Sequence, residues 1–331
     1  MKVLAGDLGG THGRLWLAEV VNGLPRCLRE AVYPSADYPD PADFIEHFLA
    51  GETVTAACLA VAGPVEVHTD GQTARITNLP WRLDSRELAH RLGLPRLRLI
   101  NDFAAVGHGI DALQPKDLVN LQPGRPRARA PRALIGAGTG LGVAILVWNG
   151  TDYQVLPTEG GHVDFAPTDA LQAELWAWLH PRHGHVSAER VLSGPGLVNI
   201  YRFLAQRAPQ RADPALTVML DHDDAPARIS EHALWHGDAL AREAVELFIR
   251  IYGAQAGNLA LTTLAHGGVF LAGGIAPKLL DLLSGGGFIA AFRAKGRMAP
   301  LMEEFPVQVI INTRVGLLGA ARVAAQEVSA P

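Results

Sequence analysis

The chain has 331 residues, a length at which a single hydrophobic core usually stops growing, so two domains are expected. Hydrophobic residues make up 48% and charged residues 19%, a globular composition far from that of a disordered chain. A formal net charge of −4 offers no general attraction to nucleic acid or to an anionic membrane surface, which leaves small molecules as the expected partners. Cys27 and Cys58 alone cannot build a disulfide framework or a four-cysteine metal site, and a reducing cytoplasmic setting is expected.

The first segment, KVLAGDLGGTHGRLWLAEVVNG, reads as an apolar strand from about residue 2, a Gly-rich turn, a second strand and an Asn-Gly hairpin signal. It lacks the long apolar region and cleavage site of a signal peptide. In DLGGT, Asp7 ends the strand, and Gly9 and Gly10 let backbone N–H groups approach an anion beside the Thr11 hydroxyl. A plain tight turn is the competing reading.

Next comes LRLINDFAAV, an alternating strand that runs through Asn101 and Asp102 straight into an apolar helix with no polar loop between them. Either residue could simply cap that helix. The Arg-rich stretch PGRPRARAPR, residues 123–132, reads as an exposed interdomain linker or, less simply, a polyanion site. RALIGAGTGLGVAILVWNG then repeats the opening pattern, since Thr139 precedes Asn149 by ten positions and Thr11 precedes Asn22 by eleven. Two homologous halves follow from that spacing, each with strands alternating with helices around a mostly parallel sheet. A cleft between two such domains is the expected ligand site.

Gly136, Gly138 and Thr139 form the second Gly-Thr turn, and two such turns could hold a polyphosphate from both sides. LPTEGGHVDFAP places Glu159 and His162 around two glycines, and HVSAERVLSGPG places Glu189 just after Ser187, a candidate helix N-cap. Asn101, Asp102, Glu159, His162 and Glu189 together offer the acceptors and donors that vicinal sugar hydroxyls need. The histidines of HPRHGH, His180, His183 and His185, raise a metal reading, which the Pro and Gly of an expected mobile loop and the missing cysteines disfavour.

Residues from Ile229 to about Leu264 read as one long helix, with Gly253 and Gly257 allowing close packing or a break. GGVFLAGGIAPK supplies a strand, the Gly273-Gly274 turn and a helix start suited to a nucleotide. The uncharged segment 257–277 is of membrane-spanning length, but polar residues and Gly-Gly pairs interrupt it, so no membrane span is expected. The closing strand and Ala-rich helix are expected to return to the first domain, giving domains of 1–112 plus 306–331 and of 113–305. No Walker A loop is present, because none of Lys2, Lys116, Lys278 and Lys295 is followed by Ser or Thr. GAGTGLG also lacks the third glycine of a dinucleotide fingerprint.

Taken together, DLGGT, TNLPW (residues 77–81), LINDF, GAGTGLG, EGGHVDFAP, HVSAERVLSGPGLVNIY and GGVFLAGGI occur in the order of the bacterial ATP-dependent glucokinases, which the chain resembles over almost its whole length. That family belongs to the hexokinase and actin-like ATPase superfamily. The resemblance implies an α/β fold of the duplicated RNase H-like (actin-like ATPase) kind with a central cleft. It implies an enzyme that transfers a phosphoryl group from Mg-ATP to the 6-hydroxyl of glucose, with ATP and Mg2+ as cofactors and a homodimer as the assembly. By position it puts the catalytic base on Asp102 and sugar ligands on Asn101, Asp102, Glu159, His162 and Glu189. Phosphate loops fall on Asp7 to Thr11 and Gly136 to Thr139, and the adenosine side on Gly273 and Gly274. No residue is expected to ligate a metal directly; Asp7 would reach Mg2+ through water.

His12 departs from the Asn that often follows DxGGT in these enzymes. Cys27 and Cys58 exclude the clustered-cysteine zinc motif of ROK-type relatives. A different hexose or polyphosphate as substrate stays open, and a sugar-sensing repressor is disfavoured, since a strand at residue 2 leaves no room for a preceding DNA-binding domain.

Overall fold

The computed structural model describes residues 1–76 and 79–329. Thr77 and Asn78, the start of the TNLPW motif, lie outside the described residues. The chain divides into two compact units, one of residues 1–117, 152–157 and 312–331, the other of residues 118–151 and 158–311.

The first unit is built on a sheet of β1 (Lys2–Leu8), β2 (His12–Val21), β3 (Leu24–Pro34), β4 (Ala56–Val61) and a strand after a small antiparallel sheet of β5 (Val65–His68), β6 (Gly71–Arg75) and β7 (Arg82–Asp84). That later strand is β8 (Leu97–Asn101), and the order is β3-β2-β1-β4-β8. β1 pairs antiparallel with β2 and parallel with β4, which in turn runs parallel to β8. The first Asn-Gly is a hairpin of the predicted kind: Asn22 and Gly23 have φ of 51° and 76°, the left-handed pair that matches strand twist.

β1 is almost continuously apolar because both its faces are covered. Leu4 and Leu8 pack with Leu15, Phe44 and Leu59 on one side. Val3 and Ala5 pack on the other with Trp16, Cys58 and five residues of the C-terminal helix Val315–Ser329, namely Leu317, Ala320, Ala321, Val323 and Ala324. Small residues let that helix lie close on the sheet. The most demanding point is Gly319, where a side-chain carbon would run into the Ala105 carbonyl of the helix Asp102–Gly109.

The second unit repeats the plan. β10 (Arg132–Ala137) pairs antiparallel with β11 (Leu141–Trp148) and parallel with β13 (Val269–Ala272), which runs parallel to β14 (Val307–Ile310); β9 (Leu118–Gln122) closes the far edge antiparallel to β14. β12 (Tyr153–Thr158) follows β11 in the chain as β3 follows β2, but its residues 153–157 fall in the first unit. The 25-residue helix Ala239–Thr263 crosses this sheet, and its Tyr252 hydroxyl donates to the Ile135 carbonyl at 3.2 Å. Gly253 and Gly257 serve close packing, since a β-carbon at either would meet the backbone of Phe288 or Phe292 in the helix Gly287–Arg293.

Four expectations change. The stretch 229–264 is two helices, Ala225–Trp235 and Ala239–Thr263. Gly237 at φ +70° ends the first, and Asp238 begins the second by accepting from the N–H groups of Leu240 and Ala241. The Arg-rich stretch is not an interdomain linker: it joins β9 to β10 within the second unit, and the Arg127 guanidinium bonds Glu304 at 2.8 Å. His180 and His183 lie on the helix Ala170–His183 rather than in a mobile loop. Finally, the strand after residue 306 belongs to the second sheet, and only the helix beyond it packs in the first unit. Among the described residues no helix is long and apolar enough to cross a membrane.

Candidate active site

The DLGGT turn joins β1 to β2. Gly9 N–H donates to the His12 carbonyl at 3.0 Å, which closes the turn, while the amides of Gly10 and Thr11 make no hydrogen bond among the described residues. A residue that no local pattern singles out holds this loop from below. Ser35, fully buried, donates its hydroxyl to the Gly9 carbonyl at 2.8 Å and its N–H to the Thr11 carbonyl at 2.9 Å. Asp7, two residues before Gly9 on β1, is half-buried and its carboxylate accepts no hydrogen bond among the described residues. Burial raises its pKa and the Arg14 guanidinium partly offsets this.

Asn101 and Asp102 stand at the end of β8, two strands from β1 in the same sheet. Asn101 is the N-cap of the helix Asp102–Gly109: its Oδ1 accepts from Phe103 N at 2.9 Å and Ala104 N at 3.2 Å. Its amide hydrogens go to the Gly63 carbonyl at 3.1 Å and to Asp102 Oδ1 at 3.0 Å. Asn101 thus has no free hydrogen for a sugar hydroxyl in this conformation; what it does is hold Asp102. Phe103 N–H adds a second bond to the same Asp102 oxygen, at 2.8 Å, and Oδ2 has no donor from another residue among the described residues. Burial, followed by the charge of Asp7, pushes the Asp102 carboxyl up to about 6, against the opposing pull of its hydrogen bonds. A carboxylate raised by burial and by a second carboxylate nearby is in the environment in which a general base is tuned toward neutral pH.

The second unit holds the remaining residues. In the GAGTGLG turn between β10 and β11, Gly138 N–H donates to the Gly140 carbonyl at 2.8 Å and Gly138 O accepts from Gly194 N at 2.8 Å, so Thr139 stands exposed at the tip. Gly136 lies within β10, opposite Gly142. Glu189 belongs to this loop structurally. Its Oε2 accepts from Leu141 N at 2.8 Å and lies 2.6 Å from where a β-carbon on Gly140 would stand, which explains that glycine. Ser187 does not cap a full helix: Ala188–Arg190 is a single 3-10 turn without a side-chain cap. Ser193 does the capping a few residues later, accepting from Gly196 N while donating to the Glu189 carbonyl.

Glu159 and His162 flank a 3-10 turn of Gly160–His162, which is pressed on β11 because Gly161 leaves no room for a β-carbon against the Leu141 carbonyl. Their side chains are 84% and 59% exposed and stand 3.8 Å apart, too far for a hydrogen bond. Gly273, at φ +82°, packs its α-carbon on the Ala137 backbone, so the 273–274 turn abuts the GAGTGLG strand. The helix that follows is only Ile275–Lys278, too short to supply the dipole expected to favour a nucleotide there. The structure therefore gathers Asp7, Gly9, Gly10, Thr11, Asn101 and Asp102 in the first unit. Gly136, Gly138, Thr139, Glu159, His162, Glu189, Gly273 and Gly274 lie in the second.

The sequence model of the glucokinase family matches residues 4–327. A glucokinase of Nostoc punctiforme is 45% identical over 342 residues, covering 98% of this chain and 99% of that one. Among solved structures, a glucokinase from an Antarctic psychrotroph superposes with a TM-score of 0.86 at 30% identity, over 98% of this chain and 99% of that one. A ROK family glucokinase from Streptomyces griseus, in complex with glucose and AMPPNP, shares the fold with a TM-score of 0.65 at 24% identity, over 98% of this chain and 100% of that one. With a match of that extent in both sequence and fold, the chain belongs to the glucokinase family.

Proposed function

We propose that this chain transfers the γ-phosphoryl group of Mg-ATP to the 6-hydroxyl of glucose, with Asp102 as the general base. The observation that carries the reading is the Asp102 carboxyl itself. It is fixed through one oxygen by Phe103 N–H and Asn101 Nδ2, with no donor from another described residue on the other oxygen, and its pKa is drawn up to about 6. At neutral pH that group is ionised yet basic enough to take a proton. As the sugar oxygen attacks the γ-phosphorus, its proton passes to Asp102 Oδ2, and the new O–P bond forms as the bond to the ADP oxygen breaks. Positioned base catalysis of this kind is worth about 10²- to 10⁴-fold. Alignment and charge stabilisation supply most of the rest in phosphoryl transfer.

Glu159, His162 and Glu189 are assigned to the sugar hydroxyls, with Asn101 acting on the sugar through Asp102. The amides of Gly10 and Thr11, unbonded among the described residues, and the Thr139 hydroxyl are assigned to phosphate oxygens. Gly136 and Gly138 shape the second phosphate turn, and Gly273 and Gly274 the adenosine side. The Asp7 carboxylate, without a donor among the described residues, fits a water ligand of the Mg2+ that travels with ATP, because Mg2+ keeps several waters and takes few carboxylates. That ion neutralises phosphate charge when bound. A cytoplasmic homodimer is the setting this reading adopts.

The test is formation of glucose 6-phosphate from Mg-ATP by the purified protein and by Asp102→Asn, with sugar binding measured in parallel. Turnover that falls at least about 100-fold with binding retained is the expected result; near-normal turnover in the variant would remove Asp102 from this role.

A further inference from the structure

Away from every residue assigned to sugar or nucleotide, the starts of two helices meet the side of a third. Asp213 caps the short helix Pro214–Val218 by accepting from Ala215 N at 2.8 Å through Oδ1. Asp238 caps Ala239–Thr263 in the same way, through Oδ1, at 2.8 Å and 2.9 Å. In both, capping uses one carboxylate oxygen and leaves Oδ2 to point elsewhere. Both Oδ2 atoms point at one atom, Nδ1 of His232 on the helix Ala225–Trp235, at 3.6 Å and 3.7 Å.

Those separations are too long for hydrogen bonds. Asp238 Oδ2 and His232 Nδ1 are buried and have no hydrogen-bond partner among the described residues. The Asp238 side chain is only 9% exposed. Buried polar atoms are nearly always satisfied, and a buried carboxylate oxygen left alone is costly. Beside them lies the fully buried Tyr201, whose hydroxyl also lacks a hydrogen-bond partner among the described residues. After burial itself, the charge of Asp238 is what raises that phenol most.

The three donor atoms all lie within 4.8 Å of one another. A zinc ion about 2.0 to 2.2 Å from each donor of a tetrahedron sets donor pairs roughly 3.3 to 3.6 Å apart, close to the distances from His232 to each carboxylate. We propose that Asp213, His232 and Asp238 form a metal site for a divalent transition-metal ion of the zinc class, with water at the fourth position. Two carboxylate oxygens and one imidazole nitrogen suit zinc better than magnesium or calcium, which favour all-oxygen shells. The ion would tie the starts of Pro214–Val218 and Ala239–Thr263 to the helix Ala225–Trp235. Its role is structural, since it touches none of the residues assigned to sugar or nucleotide.

The substitutions Asp213→Asn and Asp238→Asn keep a cap oxygen and remove the converging charges. The full-length protein, stripped with chelator and dialysed against Zn2+, is expected to take up one ion per chain and to melt at a higher temperature with Zn2+ than without. Changes around a metal ligand alone typically cost about 10- to 100-fold in affinity, so the double variant should bind Zn2+ at least about 100-fold more weakly while glucose phosphorylation is unchanged. Should the double variant fail to fold, His232→Gln is the second probe, read by loss of the visible spectrum of the Co2+-substituted protein. Equal Zn2+ uptake by wild type and variants would place the ion elsewhere, on the exposed histidines for example, and overturn the proposal. No uptake by wild type would do the same, leaving the cluster as a proton-bridged pair.

Discussion

At Asp102, stability and activity pull in opposite directions. The folded carboxyl titrates near 6 rather than at the usual 3.8, so between those values the native state holds more proton than the unfolded chain. Stability from this group therefore falls as pH rises from 4 to 6 and stays lowered above, by about 3 kcal/mol for a shift of that size. Asp102→Asn removes the cost of the charge. The variant is expected to be more stable than wild type at pH 8, by up to about 3 kcal/mol, with the difference vanishing toward pH 4; urea midpoints at the two pH values check it. Activity has the reverse sign, because the base must be unprotonated. The kcat/KM of wild type is expected to be level above pH 7 and to fall about tenfold per unit well below pH 6, and a profile flat down to pH 5 would contradict the assignment. Asn101 and Asp102 were legible because an apolar strand meets an apolar helix there with two polar residues and no loop. Ser35 was not: in YPSADYP it looks like any turn serine, and its partners at Gly9 and Thr11 are more than twenty positions away.

Turns that read alike in the sequence differ once elements pack. Gly138 and Gly273 sit in similar Gly-rich turns, but a β-carbon on Gly138 meets nothing within 4 Å, whereas Gly273 is left-handed and stands against the Ala137 backbone. Gly273→Ala is expected to lose about 1 to 3 kcal/mol from backbone strain, plus the cost of displacing β10, and Gly138→Ala to lose less than about 1 kcal/mol. Chemical denaturation of the two variants side by side decides it. The two-helix break at Gly237 was hidden because the apolar pattern carries on through it; its Gly-Asp stop-and-start signal is clear only once the second helix is seen to begin at Asp238. The reverse holds for Gly253 and Gly257, where glycine in a helix marks close packing on Gly287–Arg293 rather than a break.

Across the whole chain, the first unit is assembled from separated segments, and its sheet is closed on one face by the last helix. Leu317, Ala320, Ala321 and Ala324 cover Val3, Ala5, Cys58 and Ala60. Removing residues 312–331 is expected to expose that face and unfold the first unit, while the second unit, whose core draws on none of these residues, keeps its protection. Hydrogen exchange resolved by peptide would show loss of protection in β1 and β4 with β10 and β13 unchanged; uniform protection would refute the dependence. What the sequence determined by itself was whatever depends on neighbours in the chain: the repeated strand–turn–strand pattern, the two Gly-Thr turns, and the junction carrying Asp102. Backbone geometry and apolar periodicity act over a few residues, so they are written locally. The tertiary structure alone decided what depends on distant partners: Ser35 beneath the first turn, Glu189 bonded to the second, and β14 in one sheet while its helix serves the other. It also brought together two helix-capping aspartates and one histidine. Each depends on how separate elements pack, most of them far apart in the chain, which no local pattern encodes.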